Sequence, residues 1–189
     1  MTTIETADLY ARCDAAFTAR LAAVDGRWDA PTVLPGWDVR ALVHHIVLEE
    51  RWAPPLFAGL TIAEVGDMLD GDQLTPDPLT AARDASGAAL AAVRQDGVLD
   101  KTVHLSFGDL PGAEYARQLA ADHLVHAWDL ARALGVDDRL DPDAVHAVLE
   151  WFGDTEEAYR AAGVIGPRVP LPDGADEQAQ LLSRFGRQP

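Results

Sequence analysis

Apolar residues recur every three or four positions over most of this chain, the period that gathers them on one face of a helix. The first such stretch covers residues 4–24, with Tyr10, Cys13, Phe17 and Leu21 on one stripe, and stops at Asp25-Gly26. After the turn Pro35-Gly36-Trp37-Asp38, Asp38 is placed to cap a second helix that begins at Val39. Pro54-Pro55 predicts a bend or an end to that helix near Trp52. Thr61-Ile62-Ala63-Glu64 has the capping-box pattern of a short helix reaching about Leu69. Asp77-Pro78, a cap residue followed by a first-turn proline, opens a third long helix to about Gln95.

Period 2 replaces period 3.6 once, in Thr102-Val103-His104-Leu105-Ser106-Phe107-Gly108, which predicts one short extended segment or hairpin arm. A fourth long helix is expected over residues 113–134, with Gly135 just past its end. Asp141-Pro142 repeats the cap-and-proline device for a fifth helix to about Ala161. Residues 163–174 are rich in Gly and Pro and irregular, and a short helix follows near Glu177 to Arg184. The expectation is an all-α protein: one domain over residues 1–189, a four-helix bundle with extra short helices.

On the fourth helix, Asp122 and His126 fall about 40° apart on one face, one turn above the other. Both lie on the inward stripe with Leu119, Val125 and Leu130. Aspartate is seldom buried without something to compensate its charge, and a divalent cation would do so. Bundles build metal sites from side chains on facing helices. The further candidate ligands are His44, His45, Glu49 and His123. On the second helix Leu42, His45, Ile46, Glu49 and Trp52 share a face, whereas His44 points roughly 100° away, as does His123 from the Asp122–His126 stripe. The consistent set is His45, Asp122 and His126, with Glu49 one turn from His45 as an outer support or spare ligand. Spacing alone equally allows a hydrogen-bonded Asp–His pair in a core, or Asp122 paired with an arginine. His104 and His146 read as structural or exposed.

The formal net charge of -16, from 31 acidic and 15 basic residues, argues against nucleic acid and anionic membrane surfaces as partners. No basic, apolar leader opens the chain, and no apolar run approaches a membrane span, so a cytoplasmic protein is expected. Cys13, the single cysteine, excludes an internal disulfide and any Cys-rich zinc site, and its stripe places it in the core. There is no Gly-rich phosphate loop and no Gly-x-Ser-x-Gly elbow. Asp129 and Arg132, at i+3 spacing, read as a helix ion pair or as a brace behind the ligands.

Pro35-Gly36-Trp37-Asp38-Val39-Arg40-x-Leu42-Val43-x-His45, followed by His126-Ala127-Trp128-Asp129-Leu130-Ala131, resembles the DinB-like superfamily. More narrowly, it resembles the metal-binding N-terminal domain of mycothiol-dependent maleylpyruvate isomerases. Glu49-x-x-Trp52-Ala53-Pro54, Gly108-Asp109-Leu110-Pro111-Gly112 and Leu181-Leu182-x-x-Phe185-Gly186-Arg187 extend the likeness from about Trp28 to the C-terminus. The resemblance implies a divalent metal, usually zinc, held by His45, Asp122 and His126; two His and a carboxylate do not by themselves choose between zinc, nickel, iron and manganese. Asp122 stands where the isomerase has Glu, one methylene longer. The isomerases carry a further catalytic domain that these 189 residues do not contain, so the likeness does not extend to isomerisation of maleylpyruvate itself.

The implied chemistry is that of a thiol-dependent transferase or isomerase, with mycothiol as cosubstrate and an electrophilic small molecule as substrate. Two readings of other classes stand beside it: a metal-dependent hydrolase with Glu49 as base, and a metal-containing binding or stress-response module without turnover. A homodimer formed through helix faces is a further expected association.

Overall fold

The computed structural model describes residues 4–189. Helix α1 (Thr6–Thr18) is shorter than its hydrophobic stripe. The Thr18 hydroxyl donates to the Asp14 carbonyl at 3.0 Å, and the chain tightens into a 3-10 turn, Leu21–Ala23, before the buried Val24. Helix α2 (Val39–Phe57) starts as expected, with Asp38 accepting from the Ala41 N–H at 2.8 Å. It does not end near Trp52. The prolines remove two bonds within the final turn only, and burial of Ala53, Leu56 and Phe57 holds that turn helical.

Helix α3 (Ile62–Val65) has the capping box complete, Thr61 and Glu64 each bonding the other's backbone. It stops well before Leu69 because Gly66 turns to φ 59°, ψ -132°. Helix α4 (Pro78–Val93) is capped by Asp77. The period-2 segment is one arm of a hairpin, β1 (Thr102–Leu105) paired antiparallel with β2 (Gly108–Pro111) across the turn Ser106-Phe107. Helix α5 (Gly112–Leu134) follows directly and ends at Gly135, φ 65°. Helices α6 (Pro142–Ala161) and α7 (Glu177–Arg184) complete the chain.

The sequence offers five long helices for a bundle of four, and packing selects among them. Helix α1 lies against α5 and α4, and α2 lies against α4 and α5, closing a ring around one continuous apolar core. Helix α6 sits outside that ring, on α1 and α5, and carries α7. Phe185 stacks on Phe152 with ring centroids 4.2 Å apart, which anchors the C-terminal segment beside α5.

The start of α5 is held against the chain before the hairpin. A Cβ added at Gly112 would stand 2.4 Å from the Val98 carbonyl oxygen, so only glycine fits. Gly→Ala inside a helix ordinarily stabilises by about 0.5–1 kcal/mol. Gly112→Ala is expected to reverse that sign and lower the melting temperature, measurable by thermal unfolding.

Candidate metal centre

The two facing helices α2 and α5 bring together the three side chains that periodicity selected. His45 Nε2 lies 2.9 Å from Asp122 Oδ2, and His126 Nε2 lies 3.4 Å from Asp122 Oδ1. One donor atom from each of the three falls within 4.8 Å of the others. Asp122 bridges the two imidazoles, whose ring centroids are 5.1 Å apart at 72°. Burial by itself would raise the Asp122 carboxyl, but His126 and His45 outweigh it and hold the group well below the usual carboxylate range.

A buried relay sits behind His126. Its Nδ1 meets Asp129 Oδ2 at 2.9 Å, and Asp129, fully buried, receives Arg187 Nη2 at 2.7 Å and Nε at 3.2 Å. Burial pushes Asp129 up, while His126 and Arg187 together bring it below its ordinary value. Burial likewise disfavours the charged form of His126, yet Asp122 and then Asp129 raise it to about 9. Asp129 therefore does not pair with Arg132, which turns outward to Asp138 at 3.2 Å and over the Trp128 ring. Of the two roles open to Asp129, the brace is the one it fills, with a partner from the far end of the chain.

An imidazole that ligates a metal nearly always has its other nitrogen fixed by a carboxylate or carbonyl, and loss of that partner commonly weakens metal affinity 10–100-fold. Arg187→Ala should act through Asp129 on His126 and weaken whatever divalent-cation affinity the triad has by about that factor, read by competition with a chromophoric chelator. Arg187→Lys keeps the charge but not the planar fork, and should recover only part of the loss.

Trp37 closes one side. Its indole stacks on His126 at 6.1 Å and 10° and meets His45 edge-on at 5.3 Å. Nothing in the sequence pattern distinguishes this tryptophan from a packing residue; only the Pro-Gly turn before α2, folded back over the helix, puts it there. On the other side of His45 a cleft of about 560 Å³ opens, lined by Trp37, Arg40, His44, Leu48 and Asp72. Arg40 Nη2 pairs with Asp72 Oδ2 at 2.5 Å on its rim. The triad is thus dry behind His126 and reachable beside His45, whose side chain is 28% exposed.

The remaining candidates separate as their helical angles require. Glu49 is not among the converging donors, but it stands close enough that burial and the Asp122 charge raise its carboxyl. His44 accepts from the Gln73 N–H at 3.2 Å, away from the triad. His104 bridges the hairpin to Asp109 at 2.8 Å, and His146 bonds Glu177 at 3.0 Å. Cys13 is fully buried, and burial pushes its thiol up, as a core residue requires. His123 makes a separate cluster with Glu50 and Asp14, which the sequence reading did not foresee.

Fold and site together define a helical-bundle protein with a His–carboxylate–His donor set between two facing helices, open to a cleft on one side. The chain belongs to the mycothiol maleylpyruvate isomerase N-terminal domain family, whose model matches residues 10–131. It is also similar to two uncharacterised proteins of Mycobacterium tuberculosis, MT0763 of strain CDC 1551 / Oshkosh and Rv0738 of strain ATCC 25618 / H37Rv. Each is 29% identical over 182 residues, covering 89% of this chain and 85% of the relative. No solved structure matches. Among the described residues, no helix is long and apolar enough to cross a membrane.

Proposed function

We propose that His45, Asp122 and His126 hold one divalent cation, zinc before nickel or iron, and that the protein catalyses a thiol-dependent transfer or isomerisation with mycothiol as cosubstrate. The observation that carries this reading is the convergence of three donors at one point between α2 and α5, with the buried Asp129–Arg187 relay behind His126. Two imidazoles and a carboxylate fit the donor preference of zinc and leave a coordination position open, the pattern of a catalytic site. A cation there supplies Lewis acidity that lowers the pKa of a thiol delivered through the cleft.

The chain's own residues do the rest. The Asp129–Arg187 pair fixes the His126 ring, so that Nε2 faces Asp122 and the site centre. Trp37 covers both imidazoles and excludes water from that side. Glu49, whose carboxyl is raised, is the group beside the triad that can take the thiol proton. The cleft at His45 admits the cosubstrate, and the Arg40 guanidinium on its rim can meet a polar or anionic part of either reactant.

The test is calorimetry of mycothiol against zinc-loaded protein, followed by thiol-consumption assays with a panel of electrophiles. Thiol binding that appears only in the loaded protein and is lost in His45→Ala supports the reading. Loaded protein that neither binds mycothiol nor shows thiol-dependent turnover overturns it.

A further inference from the structure

The interior of the bundle contains a second group of side chains of metal-ligating type, off the stripe that carries the triad and drawn from three helices. Asp14 from α1, Glu50 from α2 and His123 from α5 each offer one donor atom within 4.8 Å of the others. All three are buried, at 5%, 1% and 0% exposure. His123 donates its Nδ1–H to the Leu119 carbonyl at 2.6 Å, which leaves Nε2 turned to Glu50 Oε1 at 3.1 Å. That is the arrangement of a ligating imidazole, one nitrogen fixed by a carbonyl and the other presented to the site. Tyr10 and Phe17 pack edge-on against the ring and form an apolar wall around it.

Two polar atoms here have no partner. The Asp14 Oδ1 and the Tyr10 hydroxyl, four residues apart on α1, are both buried and make no hydrogen bond. A buried carboxylate oxygen without a donor is costly, and a cation at Asp14 Oδ1 would satisfy it. The charge count points to the kind. A divalent cation with neutral imidazole balances both carboxylates and supplies the partner that Asp14 Oδ1 lacks.

We propose that Asp14, Glu50 and His123 bind a second divalent cation, separate from the triad of His45, Asp122 and His126, which pins α1, α2 and α5 together in the core. One nitrogen and two carboxylates suit zinc, manganese or ferrous iron. Tetrahedral bonds of about 2.0–2.2 Å place donors roughly 3.3–3.6 Å apart, so side-chain adjustments of up to about an ångström close the set.

The test uses the full chain with zinc alone as probe, stripped with chelator, reloaded and desalted, with metal counted by elemental analysis. Wild type should retain two equivalents per chain and His126→Ala one. In His126→Ala, which leaves Asp14, Glu50 and His123 in place, removal of that remaining equivalent should lower the melting temperature further. Glu50→Gln and Asp14→Asn should each cost one equivalent while leaving the other in place. One equivalent in wild type and none in His126→Ala would overturn the second site and leave the triad standing. One equivalent in both, lost in Glu50→Gln, would support the second site and remove the first. No metal in any chain would remove both.

Discussion

His126→Ala is expected to weaken metal binding at the triad by at least about 100-fold, because losing an outer partner alone already costs 10–100-fold and this change removes a ligand outright. Any thiol-dependent turnover should fall to background with it. The remaining pair, His45 and Asp122, offers one nitrogen and one carboxylate, and both side chains are partly open to solvent. Water then competes for the cation on equal terms. Chelator competition followed by elemental analysis reads the loss directly. The substitution is also structurally mild, since Asp129 keeps its two-pronged pairing with Arg187 and is not left as a lone buried charge. Unchanged metal affinity in a folded His126→Ala chain would remove the triad from consideration.

Trp128→Ala should produce the largest loss of stability, about 3–5 kcal/mol, the range for emptying a buried aromatic site in a core. Trp128 is 2% exposed and is among the largest fully buried side chains. Its position on α5 lies between His126 and the Asp129 that braces it, so the backbone it stabilises also carries the ligand. For a chain of this length the expected drop in melting temperature is roughly 6–20 °C, measured by calorimetry or circular dichroism. Arg132, which rests 5.5 Å from the indole centroid, adds a small term that Arg132→Ala should reveal as a much weaker effect. A Trp128→Ala chain that melts within a degree or two of wild type would mean that the core closes around the gap.

Much of the bundle was legible because its signals are local. A cap residue bonds a backbone N–H three positions away and a helical stripe repeats every turn, so Asp38, Asp77, Asp141 and Gly135 mark helix ends without reference to the rest of the molecule. The same locality made Asp122 and His126 readable as a pair and put His44 aside. Where local rules misled, burial had overridden them. The prolines at 54 and 55 are poor helix residues, but Leu56 and Phe57 are worth more inside the core than two lost hydrogen bonds cost. The hairpin return, β2, went unread because Gly108-Asp109-Leu110-Pro111 is a weak strand by composition and is held by its pairing with β1.

The parts of the site that stayed hidden share one property: their partners are remote in sequence. Arg187 reaches Asp129 across 58 residues, and the i+3 neighbour Arg132 was the nearer candidate by every local rule. Asp14, Glu50 and His123 come from three helices, and each differs by one position or more from a residue that fitted the apparent stripe. A ring of four helices buries more than one angle of each, so a polar residue off the main stripe can still face the interior.

Helix number, most helix ends, the hydrophobic faces and the spacing of Asp122 and His126 follow from the order of residues alone, since each depends on interactions within a turn or two of backbone. Which four helices close the ring, that Trp37 covers the imidazoles, that Arg187 holds Asp129, and that a second carboxylate–histidine group lies in the core follow only from tertiary packing. Those arrangements depend on how apolar faces from distant segments fill one volume, and no local periodicity encodes that.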